Sequence, residues 1–135
     1  MSNQILIGGQ ALRNLGSDRY TNDIDYLVND KSTKETFLTS EKVDYINANG
    51  NDFFASIYKL EEGKDIASAQ SLLELKAYAF VQHCQNFNWK KVDACEYDMK
   101  FLVRKFNLKA VKTVKNFISA GELSEVKKVI ASVKF

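Results

Sequence analysis

The chain has no proline, two cysteines, one histidine and one tryptophan. Without proline, cis-prolyl turns and polyproline segments are excluded. Two cysteines, Cys84 and Cys95, are too few for a disulfide framework, and they read as reduced core thiols of a cytoplasmic protein. A zinc site would have to combine the sole histidine, His83, with both cysteines and a carboxylate from one helical stretch, which is a poor ligand set. Charge of neither sign dominates: 19 basic residues against 17 acidic ones leave a formal net charge of +2. That balance is too even for a tail that coats nucleic acid or for an acidic solvating chain. No apolar run approaches the roughly 20 residues that span a bilayer. The start Met1-Ser2-Asn3-Gln4 lacks a basic segment followed by an apolar one, so neither a membrane partner nor a secretory leader is expected.

What remains fits one globular domain of 135 residues with 45% hydrophobic content, enough for a core. Its two parts differ in texture, a sheet-forming part over residues 1–60 and a helical part over 66–135. In the first, Ile5-Leu6-Ile7 reads as a buried strand ended by Gly8-Gly9, followed by a short helix that stops near Gly16. Residues 23–28 and 43–46 read as further strands and residues 32–38 as a short helix. Asn49-Gly50 is a hairpin signal, which makes residues 53–58 a fourth strand. In the second part, a helix is expected over residues 68–85 with Leu72, Leu73, Ala77, Phe80, Val81 and Cys84 on one face. A second helix uses Val92, Cys95, Met99, Leu102, Val103 and Phe106. A third uses Val111, Val114, Phe117 and Ile118 and breaks at Gly121, and a fourth runs from Leu123 to Val133. The expected class is α/β (α+β), a small mixed sheet of about four strands with a C-terminal helical half.

The chemistry concentrates in the first 45 residues. Asp23 and Asp25 stand two apart in an expected strand and so project from one face. Paired carboxylates on a rigid strand suit a hard cation such as Mg²⁺, which keeps several waters and completes its shell with substrate phosphates. Asp44 lies in the next strand of this kind. If that strand pairs beside Asp23-Ile24-Asp25, a third carboxylate joins the same face, and three such groups can hold two Mg²⁺ ions for in-line phosphoryl or nucleotidyl transfer. Otherwise Asp44 faces solvent on an edge strand. Gly8-Gly9 lets bare backbone approach a ligand closely, and the N–H groups of a helix start favour a phosphate. Neither the dinucleotide fingerprint nor the P-loop is present.

An apolar residue, Gly8-Gly9, thirteen intervening residues and Asp23-Ile24-Asp25 resemble the signature of the minimal nucleotidyltransferases of the DNA polymerase β superfamily. The finer pattern, Gly8-Gly9-Gln10-Ala11-Leu12 with Arg19-x-Thr21-x-Asp23-Ile24-Asp25, is similar to the AbiEii-toxin-like branch and related nucleotidyltransferase-like proteins. Val43-Asp44-Tyr45-Ile46 resembles their third-acid strand, and Leu72-Leu73-Glu74-Leu75-Lys76-Ala77 their lysine-bearing helix. The resemblance covers residues 5–102. The stretch between Asp25 and Asp44 is shorter than is usual there. The resemblance implies a nucleotidyltransferase-like fold, an NTP as substrate and two Mg²⁺ or Mn²⁺ ions on Asp23, Asp25 and Asp44. It also implies Gly8 and Gly9 at the nucleotide's phosphates and an acceptor hydroxyl on RNA (tRNA included), a protein or a small molecule. The alternative it leaves is a catalytically idle module of the same fold, binding a protein or RNA partner in a toxin–antitoxin or phage-defence setting.

Other residues have two readings each. Lys76 lies inside the apolar stripe of its helix, so its ammonium must either reach a triphosphate or meet a structural carboxylate. Arg19 either touches phosphate or braces the loop before the acids. Thr21 shares strand parity with Asp23 and Asp25 and can face the same pocket or serve the loop. Asp98 reads as solvated or lysine-paired. Trp89 beside Lys90 and Lys91 either stacks a base or closes a helix–helix turn. The lysines of the last two helices read as a solvated face, with an RNA-binding face as the other possibility. A haloacid-dehalogenase-like nucleophile and a calcium-binding EF-hand both fit poorly, because the flanking residues are wrong for each.

Overall fold

The structure, a computed structural model, describes residues 4–40 and 42–134; residues 1–3, where no leader is expected, lie outside them. The chain is mixed α/β and falls into two compact units, Met1–Ser68 and Ala69–Phe135. No helix among the described residues is long and apolar enough to cross a membrane.

The first unit contains β1 (Gln4–Ile7), α1 (Gly8–Asn14), β2 (Ile24–Val28), β3 (Phe37–Ser40), β4 (Val43–Asn47) and α2 (Asp52–Glu61). The strands lie in the order β1-β2-β4-β3. β1 is antiparallel to β2, β2 is parallel to β4, and β3 is antiparallel to β4 with a shift of register. A parallel pair cannot be closed by a tight hairpin, and residues 29–36 with β3 carry the chain back. Asn47, fully buried, holds that return in place. Its Nδ2 donates to the carbonyls of Asp30, Thr33 and Glu35, at 3.2, 2.8 and 3.3 Å, and its Oδ1 accepts from the Asp30 N–H at 3.1 Å. The free edge of β1 is covered by residues 65–67, through Leu6 N–H to Asp65 O at 2.8 Å and Ala67 N–H to Leu6 O at 3.1 Å.

One face of the sheet carries Ile5, Ile7 and Leu27, which are buried with Ala11 and Leu12 of α1 and Phe53 and Ile57 of α2. The other face carries an aromatic row, in which Tyr45 stacks on Tyr26 at 5.7 Å and on Phe37 at 5.2 Å.

Two expectations are corrected here. Residues 53–58 are helix rather than strand. The Asn51 side chain accepts from the Phe53 and Phe54 N–H groups, an N-cap that starts α2, and Phe53 and Ile57 then bury at helical spacing. Residues 32–38 form no helix: Asn47 ties up the carbonyls of this stretch, and it ends in β3.

The second unit contains α3 (Ala69–Gln85), α4 (Trp89–Phe106) and α5 (Ala120–Ala131). Leu72, Leu73, Ala77, Phe80 and Val81 of α3 are buried as their spacing predicts, as are Val92, Cys95, Met99, Leu102 and Val103 of α4. Phe106 is instead exposed. The helix expected around Val111 to Ile118 is a 3₁₀ turn at Val114–Asn116. Glu74 fixes where that turn begins. Its carboxylate, buried in α3, accepts the backbone N–H groups of Lys112, Thr113 and Val114 at 2.7, 3.0 and 2.9 Å, and Gln70 Nε2 at 2.7 Å. Burying a polar group costs free energy unless it is hydrogen-bonded, and these four bonds satisfy both oxygens of the carboxyl. Gly121 does not break a helix; it lies in the first turn of α5, behind the capping box of Ser119 and Glu122.

The ends of α3 and α4 differ. α4 ends on Asn107 at φ +53°, a residue that tolerates the left-handed region. α3 is followed by Phe87 at φ +56°, where Asn88 N–H bonds His83 O at 3.0 Å. Glycine is the usual occupant of this position because it carries no Cβ penalty.

Candidate functional site

The acidic residues gather where β1 runs into α1. Register places Ile7 opposite Asp25 and Asp25 opposite Asp44. Side chains in register project to the same face of a sheet. The next row, Tyr26 and Tyr45, stacks on the aromatic face, so Asp25 and Asp44 belong to the face of Ile5, Ile7 and Leu27. Asp44 is therefore in an interior strand, beside Asp25, and not at a solvated edge. Both are half-buried. Asp23 precedes β2 by one residue, is exposed, and its N–H lies 3.4 Å from Thr21 Oγ1.

The two glycines pack against these residues. Gly8 has φ +71°, a conformation that side chains rarely adopt. A Cβ placed on it would overlap a carboxylate oxygen of Asp25 and stand 3.2 Å from Asp25 Cβ and Cγ. A Cβ on Gly9 would meet Thr21 Cγ2 at 2.5 Å. Bare backbone thus lies directly against the Asp25 side chain and against the loop that leads to Asp23.

That loop, residues 15–23, is held by α1. Gln10 Nε2 donates to Thr21 O at 2.9 Å, Arg13 donates to Arg19 O at 3.4 Å, and the Arg13 guanidinium lies 6.0 Å from the centre of the Tyr20 ring. Buried Ser17 accepts the Arg19 N–H at 3.3 Å. Thr21 serves both the Gly9 contact and the turn before Asp23. Among the described residues, no three His, Cys, Asp or Glu side chains converge into a group that would hold a metal ion.

No protein-family model matches the chain, and no curated protein or solved structure matches it.

Lys76 belongs to the second unit, where its Nζ lies 2.9 Å from Asp98 Oδ2. Asp98 is 1% exposed, so of the two fates open to a lysine inside an apolar stripe, the structure shows the carboxylate pair. Both cysteines are free. Burial, then the negative charges of Glu125 and Glu96, pushes the Cys84 thiol above its ordinary value, which disfavours the thiolate. Gln10, Arg13 and Glu74 were not marked by the sequence. Each acts on backbone groups of a distant segment, and such partners follow from the fold rather than from spacing along a helix or strand.

Proposed function

We propose that the chain is a metal-dependent nucleotidyltransferase that moves a nucleoside monophosphate from an NTP to a hydroxyl group. The observation that carries this is the register of Asp25 with Asp44, on the sheet face where Gly8 leaves no space between its backbone and the Asp25 carboxylate. The resemblance of Gly8-Gly9, Arg19, Thr21, Asp23 and Asp25 to the nucleotidyltransferase signature supports the same assignment.

The donor set suits the implied ion. Carboxylate oxygens are hard ligands, and Mg²⁺ is commonly held by one or two carboxylates plus substrate phosphates rather than by a complete protein cage. Asp25 and Asp44 would supply that pair, and Asp23 the third ligand at the exposed margin. When bound, Mg²⁺ or Mn²⁺ neutralises charge on the triphosphate. In the reaction, the acceptor oxygen bonds to the α-phosphorus, the bond from that phosphorus to the β-phosphate bridge breaks, and pyrophosphate leaves. Asp44 would orient the acceptor hydroxyl and take its proton. Gly8 and Gly9 would offer their N–H groups to the triphosphate, since the space a Cβ would take at each is filled by Asp25 and Thr21. Gln10 and Thr21 would hold the loop that presents Asp23.

The test is incubation with Mg²⁺ or Mn²⁺, each labelled NTP in turn, and total RNA or lysate. Transfer of label by the wild type and its loss in Asp25→Asn and Asp44→Asn is expected. No transfer from any nucleotide, together with no metal-dependent nucleotide binding, overturns the proposal. A cellular phenotype that survives the Asp23→Asn, Asp25→Asn double variant assigns the fold instead to binding a protein or RNA partner.

A further inference from the structure

Two large aromatic rings stand exposed where α3 turns into α4. Phe87 is 75% exposed and Trp89 58%, and they meet edge to face with ring centres 6.1 Å apart. Each leaves most of an apolar ring in water. Phe87 moreover occupies a left-handed position that glycine would hold with less strain. A residue that is costly both in backbone conformation and in exposed apolar surface points to a contact outside the unit.

The same texture continues along α4. Its buried arc is Val92, Cys95, Asp98, Met99, Leu102 and Val103. On the opposite arc, rings and cations alternate, with Trp89, Lys90, Tyr97, Lys100, Phe101 and Arg104 within about a third of the helix circumference at 3.6 residues per turn. Tyr97 is 48% exposed. Tyr97, Lys100, Phe101, Arg104 and Lys105 line a hollow of about 310 Å³, and Lys105 Nζ lies 5.8 Å from the Phe101 ring centre. Two acids share this side. Glu96 is engaged by Lys100 at 3.6 Å, and Asp93 is exposed. Cations therefore outnumber acids on this surface. From Trp89 to Phe101 the rings span about 18 Å at 1.5 Å per residue.

Exposed rings interleaved with lysine and arginine match single-stranded nucleic acid, whose bases stack on aromatic faces while its phosphates meet cations. A protein partner would be expected to bury an apolar patch depleted in lysine, and this surface is rich in it. We propose that the tip at Phe87 and Trp89 and the outer side of α4 form a binding surface for single-stranded RNA or DNA. Stacking needs neither a metal ion nor a triphosphate, so this surface stands apart from the transfer activity proposed for the acids of the first unit, and either can fail without the other.

Trp89 is the sole tryptophan, so its emission reports on this one place. Titration of the full chain with a mixed-sequence single-stranded 12-mer, as RNA and as DNA, without metal or NTP, should quench that emission to saturation. The affinity should fall with salt at about −0.7 per phosphate contacted, and a duplex of equal length should bind at least about tenfold more weakly. Phe87→Gly suits the backbone and should keep its melting temperature while losing about fivefold or more in affinity. Arg104→Glu with Lys105→Glu should lose about tenfold or more. The proposal is overturned by any of three results. One is no quenching at about 100 µM oligonucleotide, the weak end of non-specific binding. The second is unchanged affinity in Phe87→Gly. The third is an emission change that follows protein concentration alone and coincides with dimers in sedimentation, which makes a second copy the occupant.

Discussion

Asp25 and Asp44 are register partners on adjacent parallel strands, two carboxylates side by side on the face of the sheet that also carries the buried Ile5, Ile7 and Leu27. Neighbouring strands lie about 4.8 Å apart, so the two charges stand close in a partly buried setting. Like charges placed directly opposite destabilise a sheet. The divalent cation proposed above would reverse that sign, because it would bind the folded chain and not the unfolded one.

Asp44→Asn should therefore invert its effect with the metal. In chelator, the variant should be equal to the wild type or more stable by about 0.2–1 kcal/mol, since one member of a repelling pair is gone. In millimolar Mn²⁺ or Mg²⁺ the wild type should gain melting temperature and Asp44→Asn should not. Thermal melts in the two conditions measure this. A wild type indifferent to both ions counts against a cation at this pair.

Two glycines provide opposite tests. Gly8 combines φ +71° with a Cβ position already occupied by the Asp25 carboxylate, so Gly8→Ala should cost about 1–3 kcal/mol in urea unfolding. Gly121 has nothing within 4 Å of its Cβ position and lies within α5, so Gly121→Ala should stabilise by about 0.5–1 kcal/mol. Equal effects at the two sites would contradict the packing of the first turn of α1 against β2.

The Lys76–Asp98 pair should behave as a buried ion pair. Lys76→Met removes the ammonium that lies 2.9 Å from a carboxylate that is 1% exposed, a change that costs about 3–5 kcal/mol. Lys76→Met with Asp98→Leu removes both charges and should recover most of that loss. Urea unfolding of the wild type, both single variants and the double closes the cycle. A cost below about 1 kcal/mol for Lys76→Met would mean the pair does little for the α3–α4 contact.

How much of this was legible in the sequence depended on whether the deciding partner was near in the chain. β1, the Gly8-Gly9 turn, β2 and β4 were readable because apolar runs and punctuating glycines act locally. The faces of α3 and α4 were readable because burial follows the helical period. Residues 53–58 misled because Phe, Ile and Tyr favour strands, whereas the Asn51 cap and the pocket for Phe53 and Ile57 decide for helix. The stretch around Val114 has helical spacing but forms only a 3₁₀ turn, and the partner of the N–H groups at its start is Glu74, about 40 residues earlier. For the site, the spacing of Asp23 and Asp25 was visible from the chain. The placement of Asp44 beside Asp25 required the parallel pairing, and no local pattern encodes that. Gln10 was hidden for the same reason, since its partner Thr21 belongs to another segment, whereas for Asp98 the lysine-paired reading was open and only the identity of the lysine, Lys76, needed the fold.

His83 should give the second unit a pH dependence confined to the acid side. Burial of its ring, then the positive charges of Lys91 and Lys76, holds it below the ordinary value of 6.5. As pH falls through about 6.5, the unfolded chain takes up a proton at this ring and the folded chain does not. Over that window the unfolded state binds more protons, so stability decreases with falling pH, and the loss levels off once the folded ring also titrates. Above pH 7 the ring is neutral in both states and contributes no slope. The melting temperature should therefore drop between pH 7.5 and 5.5. His83→Gln should show a smaller drop from a similar starting point, and Lys91→Glu should also shrink it by removing one of the repelling charges. Because His83 is the sole histidine, its ring proton gives a single NMR titration curve. A midpoint at or above 6.5 would contradict a partly buried ring flanked by cations.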